Sequence, residues 1–147
     1  MIYLLDTDTL VFMIRGLKSA RRPARQRAEH LAQRCEKAWS SGHTIGLSAI
    51  TVSELEFGAR RSGNYEAEMA AYRKVEAPFA VYDYDIVQCP PHYGLIRHEL
   101  EAKGMTIGAM DLLIAAHAMA LDATLVSNNQ AHFSRVADLK TENWLRA

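Results

Sequence analysis

The sequence predicts an α/β protein, a three-layer α/β/α sandwich around a central, mainly parallel sheet. Short, mostly apolar runs at residues 2–5, 44–47, 79–84 and 124–126 read as strands, the first of them continuous enough to be buried on both faces. Longer segments between them carry apolar residues at three- and four-residue spacing, the helical period. Strands that alternate with helices require right-handed crossovers and a parallel sheet covered on both sides. A length of 147 residues suits a single domain spanning 1–147 with one sizeable core.

The elements follow in order. The strand at 2–5 ends in Asp6, and a first helix is expected over 9–15 with Gly16 as its stop. Pro23 opens a second helix, whose Ala24, Ala28, Leu31, Ala32, Cys35 and Trp39 form an apolar stripe, and Gly42 closes it. After the strand at 44–47, Ser48 or Thr51 can cap the helix that carries Glu54. A helix over 65–75 follows Gly63, and after the strand at 79–84 another helix spans 90–103 and stops at Gly104. Residues 110–121 are apolar nearly all round, which marks a helix in the middle of the structure. The strand at 124–126 comes next, and 139–144 reads as an edge strand with a terminal turn. The chain has no internal repeat, linker or low-complexity segment.

Composition removes several classes of function. Apolar residues make up 49% and charged residues 23%, as in a soluble globular protein. No apolar run approaches the roughly 20 residues of a membrane span. The opening Met-Ile-Tyr-Leu-Leu lacks a basic region and meets an acid at position six, unlike a secretory signal. The expectation is a cytoplasmic protein with no membrane partner. Cys35 and Cys89, widely spaced, read as reduced, partly buried thiols rather than a zinc site or disulfide framework. A net charge of zero excludes a polycation that coats nucleic acid. Even so, eight of the 17 Lys and Arg residues lie between Arg15 and Lys37, either as a solvated helix surface or as a local face for phosphates.

Parallel sheets collect ligands beyond the carboxyl ends of their strands. Asp6 and the Ser127-Asn128-Asn129 run are expected at such ends, and Glu54 and Asp111 in first helical turns. Clustered carboxylates raise one another's pKa, and a hard divalent cation relieves the repulsion. Such a cation polarises a phosphoryl oxygen, acidifies a bound water and offsets charge on a leaving oxygen. Each acid also has a structural alternative: Asp6 and Asp111 as helix caps, Glu54 as half of an ion pair. Asp111 opens a helix that is otherwise nearly all apolar, which holds it at the mouth of the core. His117 lies six residues further on, about 240° round the helix, and so faces elsewhere. His92 and His98 have the same spacing on another helix, and His132 is expected on the surface or against substrate.

The segments IYLLDTDTLV, SAITVSELEFGAR and IGAMDLLIAAHAMALDATLVSNNQAHFSRVADLKTENW resemble, in order and spacing, the successive motifs of VapC-type toxins. These are PIN-domain ribonucleases of bacterial type II toxin–antitoxin pairs. The resemblance runs from the first strand to the C-terminus. It implies a PIN-like fold and an endoribonuclease that cleaves RNA by a metal-activated water, using Mg²⁺ or Mn²⁺. It further implies a homodimer silenced by a cognate VapB-type antitoxin, whose helix or extended tail lies across the site. Carried over by position, Asp6, Glu54 and Asp111 are the catalytic, metal-binding acids, and Ser127 is the small hydroxyl after the fourth strand. Thr7, Ser127 and Asn129 are candidates to bind the phosphate or orient waters, and basic residues from Arg15 to Arg27 to grip the RNA backbone. Attack by water predicts 5′-phosphate and 3′-hydroxyl ends.

Two positions depart from the pattern. Where the wider class often has a fourth acid, this chain has Asn129 and then His132, which favours one firmly held cation over two. Asp8 replaces the usual Asn and reads as a cap for the first helix, with restoration of the missing charge as its alternative. Asp6-Thr7-Asp8-Thr9 also resembles the DxDxT opening of haloacid-dehalogenase-like phosphatases. Those enzymes need an acidic pair after a later strand, where this chain has Ser127-Asn128-Asn129, and they give no role to Glu54 or Asp111. A non-cutting, RNA- or protein-binding version of the PIN-like domain is the non-enzymatic alternative.

Overall fold

Leu4 and Leu5 are neighbours in one strand and both are fully buried. Successive strand side chains point to opposite faces, so the sheet must have an apolar layer on each side. The computed structural model, which describes residues 1–145, shows both layers. Its elements are β1 (Ile2–Leu5), α1 (Thr7–Lys18), α2 (Arg22–Ser40), β2 (Thr44–Ser48), α3 (Ala49–Arg61) and α4 (Tyr65–Glu76). The chain continues through β3 (Ala80–Tyr82), α5 (Cys89–Ala102), α6 (Ala109–Ala120), β4 (Thr124–Val126), α7 (Gln130–Phe133) and β5 (Thr141–Glu142). The strands order as β3-β2-β1-β4-β5, and every pairing is parallel.

Leu5, Ile45, Leu47 and Val126 pack on one face against α1, α2, α3 and α4. Leu4 and Leu125 pack on the other against α5, α6 and Phe133 of α7. In β2 the alternation continues: Ile45 and Leu47 face the first layer, while a Cβ on Gly46 would collide with the Tyr82 ring on the other side. The expected three-layer architecture is therefore present, with α6 buried along most of its length.

Several boundaries differ from the sequence expectation, each for a physical reason. Helix α1 starts earlier than residue 9 and runs through Gly16 to Lys18. Gly16 is a contact rather than a stop: a Cβ there would lie 2.5 Å from the Ala28 Cβ and 2.9 Å from the Ala24 carbonyl oxygen. Its missing side chain lets α1 and α2 approach. Because α1 begins at Thr7, its cap is Asp6, and Asp8 falls inside the first turn rather than capping it. Strand β3 is shorter than 79–84, since Asp85 accepts the N–H groups of Val87 and Gln88 and turns the chain towards α5. The single-turn α7 is an addition too short to show a period in the sequence, and the edge strand shrinks to β5.

One buried polar contact ties the layers together. Ser48 accepts the Ile50 N–H at the start of α3, and its hydroxyl lies 2.7 Å from Nδ1 of His117 in α6. A hydroxyl that accepts from Ile50 serves as donor to an unprotonated Nδ1, which leaves the proton on Nε2. That Nε2 is buried without a hydrogen-bond partner among the described residues. The imidazole stands edge-on to Tyr84, with ring centroids 5.6 Å apart. Burial holds the His117 pKa below its ordinary 6.5.

Two outcomes follow from this packing. Gly16→Val lowers the free energy of unfolding by about 1–3 kcal/mol, read from urea midpoints, because it forces α1 from α2. His117 takes up its proton more readily in the unfolded chain, so its share of stability is whole above pH 6.5 and is lost as pH falls through the lowered folded value. The thermal midpoint therefore drops between pH 7.5 and 5 on account of His117, and His117→Gln flattens that part of the profile.

Candidate active site

Asp6 is the residue at which β1 becomes α1. Its backbone N–H still bonds Val126 in sheet fashion at 3.0 Å, while its side chain already caps the helix. Oδ1 accepts the Thr9 N–H at 2.8 Å, and Oδ2 accepts the Ser127 hydroxyl at 2.5 Å. The residue is only 3% exposed. Burial pushes its carboxyl above the ordinary range, the bonds from Ser127 and Thr9 oppose that rise, and the Asp8 charge adds to it.

Glu54 lies in the second turn of α3 rather than the first, because that helix begins at Ala49. The Thr7 hydroxyl donates to its Oε1 at 2.5 Å and lies 3.1 Å from the Thr51 hydroxyl, linking α1 to α3. Burial raises the Glu54 pKa first, Thr7 counteracts it, and the charges of Asp111 and Asp8 raise it further. Asp111 is the third residue of α6, which is capped by Gly108, so Asp111 is not the cap. Its pKa is raised by burial, lowered by His132, and raised again by Asp8. His132 Nδ1 stands 3.6 Å from Asp111 Oδ2 and 2.8 Å from the Asn129 amide nitrogen.

The supporting residues are thus engaged with the acids rather than free. Ser127 is fully buried, donates to Asp6 and accepts the Asn129 N–H at 2.8 Å. Thr7 holds Glu54, and the Asn129 amide is paired with His132. Asp8 is exposed, and its charge raises the pKa of Asp6, Glu54 and Asp111 alike. Asp8 is thus the charge felt by all three acids, and Glu54 feels Asp111 as well. The four carboxylates stop short of a closed cage: among the described residues no three His, Cys, Asp or Glu side chains are close enough to hold an ion alone. Oxygen donors in this loose arrangement fit a hard cation that keeps several of its own waters, as Mg²⁺ does. Among the described residues, no Lys or Arg pairs with Asp6, Glu54 or Asp111.

The other chemistry-bearing residues lie elsewhere. Cys35 and Cys89 are buried and free, and burial pushes the Cys35 thiol up to about 12. Much of the basic run on α2 is already occupied: Arg25 pairs with Glu29, Arg34 lies near Glu142 and Trp144, and Arg27 sits over Phe12. Phe57 and Arg61, three and seven residues after Glu54, are given no role by the sequence, although helical spacing puts both near its face of α3. A cleft of about 600 Å³ runs from Asp8 and Glu54 past Phe57 to Arg15 and Arg61.

Comparison with known proteins agrees with this arrangement of elements. The profile of the PIN domain matches residues 3–139. "Ribonuclease VapC2" of Rickettsia felis is 36% identical over 144 residues, covering 98% of each chain. "tRNA(fMet)-specific endonuclease VapC" of Salmonella typhimurium is 32% identical over 142 residues, covering 97% of each. The crystal structure of VapBC2 from Rickettsia felis, bound to a DNA fragment from their promoter, contains a chain that matches with a TM-score of 0.80. That match has 35% identity and covers 98% of this chain and 99% of the other.

Proposed function

The chain belongs to the PIN-domain family, within it to the VapC-type ribonucleases, and from that premise we propose an endoribonuclease toxin in which Asp6, Glu54 and Asp111 hold Mg²⁺ or Mn²⁺. What supports the site is that the Asp8 charge acts on all three acids, and Asp111 on Glu54, at the carboxyl edge of the sheet, with no Lys or Arg pairing them among the described residues. Mg²⁺ or Mn²⁺ bound there would supply Lewis acidity to a phosphodiester and to the water that attacks it.

The protein's own groups set the geometry. Ser127 and the Thr9 N–H fix both oxygens of Asp6, so its carboxylate cannot rotate. Thr7 fixes Oε1 of Glu54 and leaves Oε2 open to a proton or to a cation's water shell. His132 stands beside Asp111, with its Nδ1 2.8 Å from the Asn129 amide nitrogen, and so ties the end of β4 to the third acid. Asp8 supplies the negative charge that Asn129 lacks. RNA cleaved in this way carries 5′-phosphate and 3′-hydroxyl ends.

The partner in this reading is a VapB-type antitoxin, as in the VapBC2 assembly of the relative. The surface that suits it is an apolar groove of about 700 Å³ between α1, α2 and α4, floored by Met13, Ile14, Ala32, Trp39, Val75 and Phe79. Ile86 and Val87, 82% and 76% exposed, suit a second copy in a homodimer. No helix among the described residues is long and apolar enough to cross a membrane, and the proposed compartment is the cytoplasm.

The test compares wild type with Asp6→Asn and Asp111→Asn on a structured RNA in Mn²⁺. Cleavage by wild type alone is expected, and equal cleavage by all three would overturn the nuclease reading. Asn at position 6 keeps an oxygen for the Thr9 N–H and removes a buried charge, so Asp6→Asn unfolds at the same or a higher temperature in cation-free buffer. Added Mn²⁺ raises the melting temperature of wild type and not of Asp6→Asn. Ser127→Ala, which loosens Asp6 without removing it, weakens cation binding by about ten- to a hundredfold.

A further inference from the structure

Helices α1 and α3 share an unusual arrangement of charge. Asp8 and Arg15 are seven residues apart on α1, and Glu54 and Arg61 are seven apart on α3. Seven residues bring a side chain back to within about 20° of the same face, roughly 10 Å along the axis. Both helices begin at the carboxyl edge of the sheet and are tied there by Thr7 to Thr51 and Glu54. The two arginines meet again: they line the far end of the cleft that holds Asp8 and Glu54, and both continue into an adjoining depression with Lys18 and Ser19. Glu68 is the single acid lining that depression. Arg15, Lys18 and Arg61 form no ion pair among the described residues, whereas neighbouring Arg60 is stacked 3.7 Å from the Tyr65 ring.

Between the acidic and basic ends stands Phe57, 66% exposed. A Phe at that exposure buries little of the surface that would stabilise the fold. The Arg61 guanidinium carbon stands over the Phe57 ring at 5.6 Å, near the outer limit of cation–π contact. The ring is therefore exposed enough to meet a planar group, with a cation beside it.

We propose that this cleft is a track for single-stranded RNA, resting on the ribonuclease reading above. Its acidic end takes the phosphate to be cut, Arg15 and Arg61 take backbone phosphates further along the strand, and Phe57 stacks the base between them. Stacking on an aromatic ring requires an unpaired, unstacked base, so the substrate class is a loop or other single-stranded segment rather than a continuous duplex. Charge fixes the direction of the track. Extra phosphates are repelled by Asp8 and Glu54 unless a cation is bound, and are attracted two turns away by the arginines.

The test measures binding of a fluorescein-labelled, mixed-sequence single-stranded oligoribonucleotide to the full chain in EDTA, by anisotropy across a salt series. Arg15→Ala and Arg61→Ala each weaken binding about tenfold and reduce the slope of log affinity against log salt by about 0.7. Phe57→Ala weakens it about tenfold at an unchanged slope, and Phe57→Tyr restores it. Arg97→Ala, which removes an exposed arginine paired with Glu101, stays within about twofold of wild type and controls for general charge loss. Wild-type affinity in Phe57→Ala and Phe57→Leu overturns the proposal. So does a change in sedimentation mass, rather than in RNA affinity, on substituting Phe57, because the ring would then be covered by a second copy of the chain. Cutting is blocked in EDTA, so this result is independent of the Asp6→Asn comparison: failure there removes the nuclease reading, and failure here removes only the track.

Discussion

Asp6 sits where a parallel sheet gives way to a helix, and its carboxylate is nearly removed from water. A buried charge is costly unless hydrogen bonds surround it, and here two do: the Thr9 N–H at the start of α1 and the Ser127 hydroxyl after β4. Those donors come from different strands' ends, so the acid can be held only when β1 and β4 are paired. Capping, sheet register and charge placement are one arrangement. The bonds offset part of the desolvation and leave a carboxylate whose pKa is still raised, next to others raised for the same reason. That residual cost is what a divalent cation would relieve, which links the stability of the fold to its proposed chemistry.

The remaining contacts fix how the other two acids stand relative to Asp6. Glu54 is positioned from α1 through Thr7. Asp111 rides on α6, whose far end is tied to the start of α3 by the buried Ser48–His117 contact. The close approach of α1 to α2 at Gly16 sets the direction of α1, and with it the line from Asp8 to Arg15. Helix capping and metal binding, alternatives for Asp6 when only its spacing is known, are compatible in the folded chain: one oxygen serves the helix and the residue still faces the acidic cluster.

Much of the fold was legible in the chain because its signals are local. Gly42, Gly63 and Gly104 end their helices with positive φ, Pro23 starts α2, and continuous apolar strands announce a sheet covered twice. Gly16 misled for the same reason. A glycine in a helical pattern signals a stop, and only the position of Ala28 on another helix shows that it is a packing contact. Asp8 misled by one turn, because a capping argument depends on where the helix begins. The single turn of α7 left no period to read, and it is held by Phe133, which is buried in the tertiary core.

By itself, the sequence determined the parallel three-layer architecture and the family to which the chain belongs, and it singled out the acids proposed for the site. These rest on short-range periodicity and on motifs whose wording is linear. Only the tertiary structure decided that Thr7 and Ser127 serve the acids and that His117 joins β2 to α6. It alone brought Phe57, Arg15 and Arg61 into line with the acidic end. Hydrogen bonds and electrostatic fields act through a few ångströms of space, and residues as far apart in the chain as Asp6 and Ser127 become neighbours only when β1 pairs with β4.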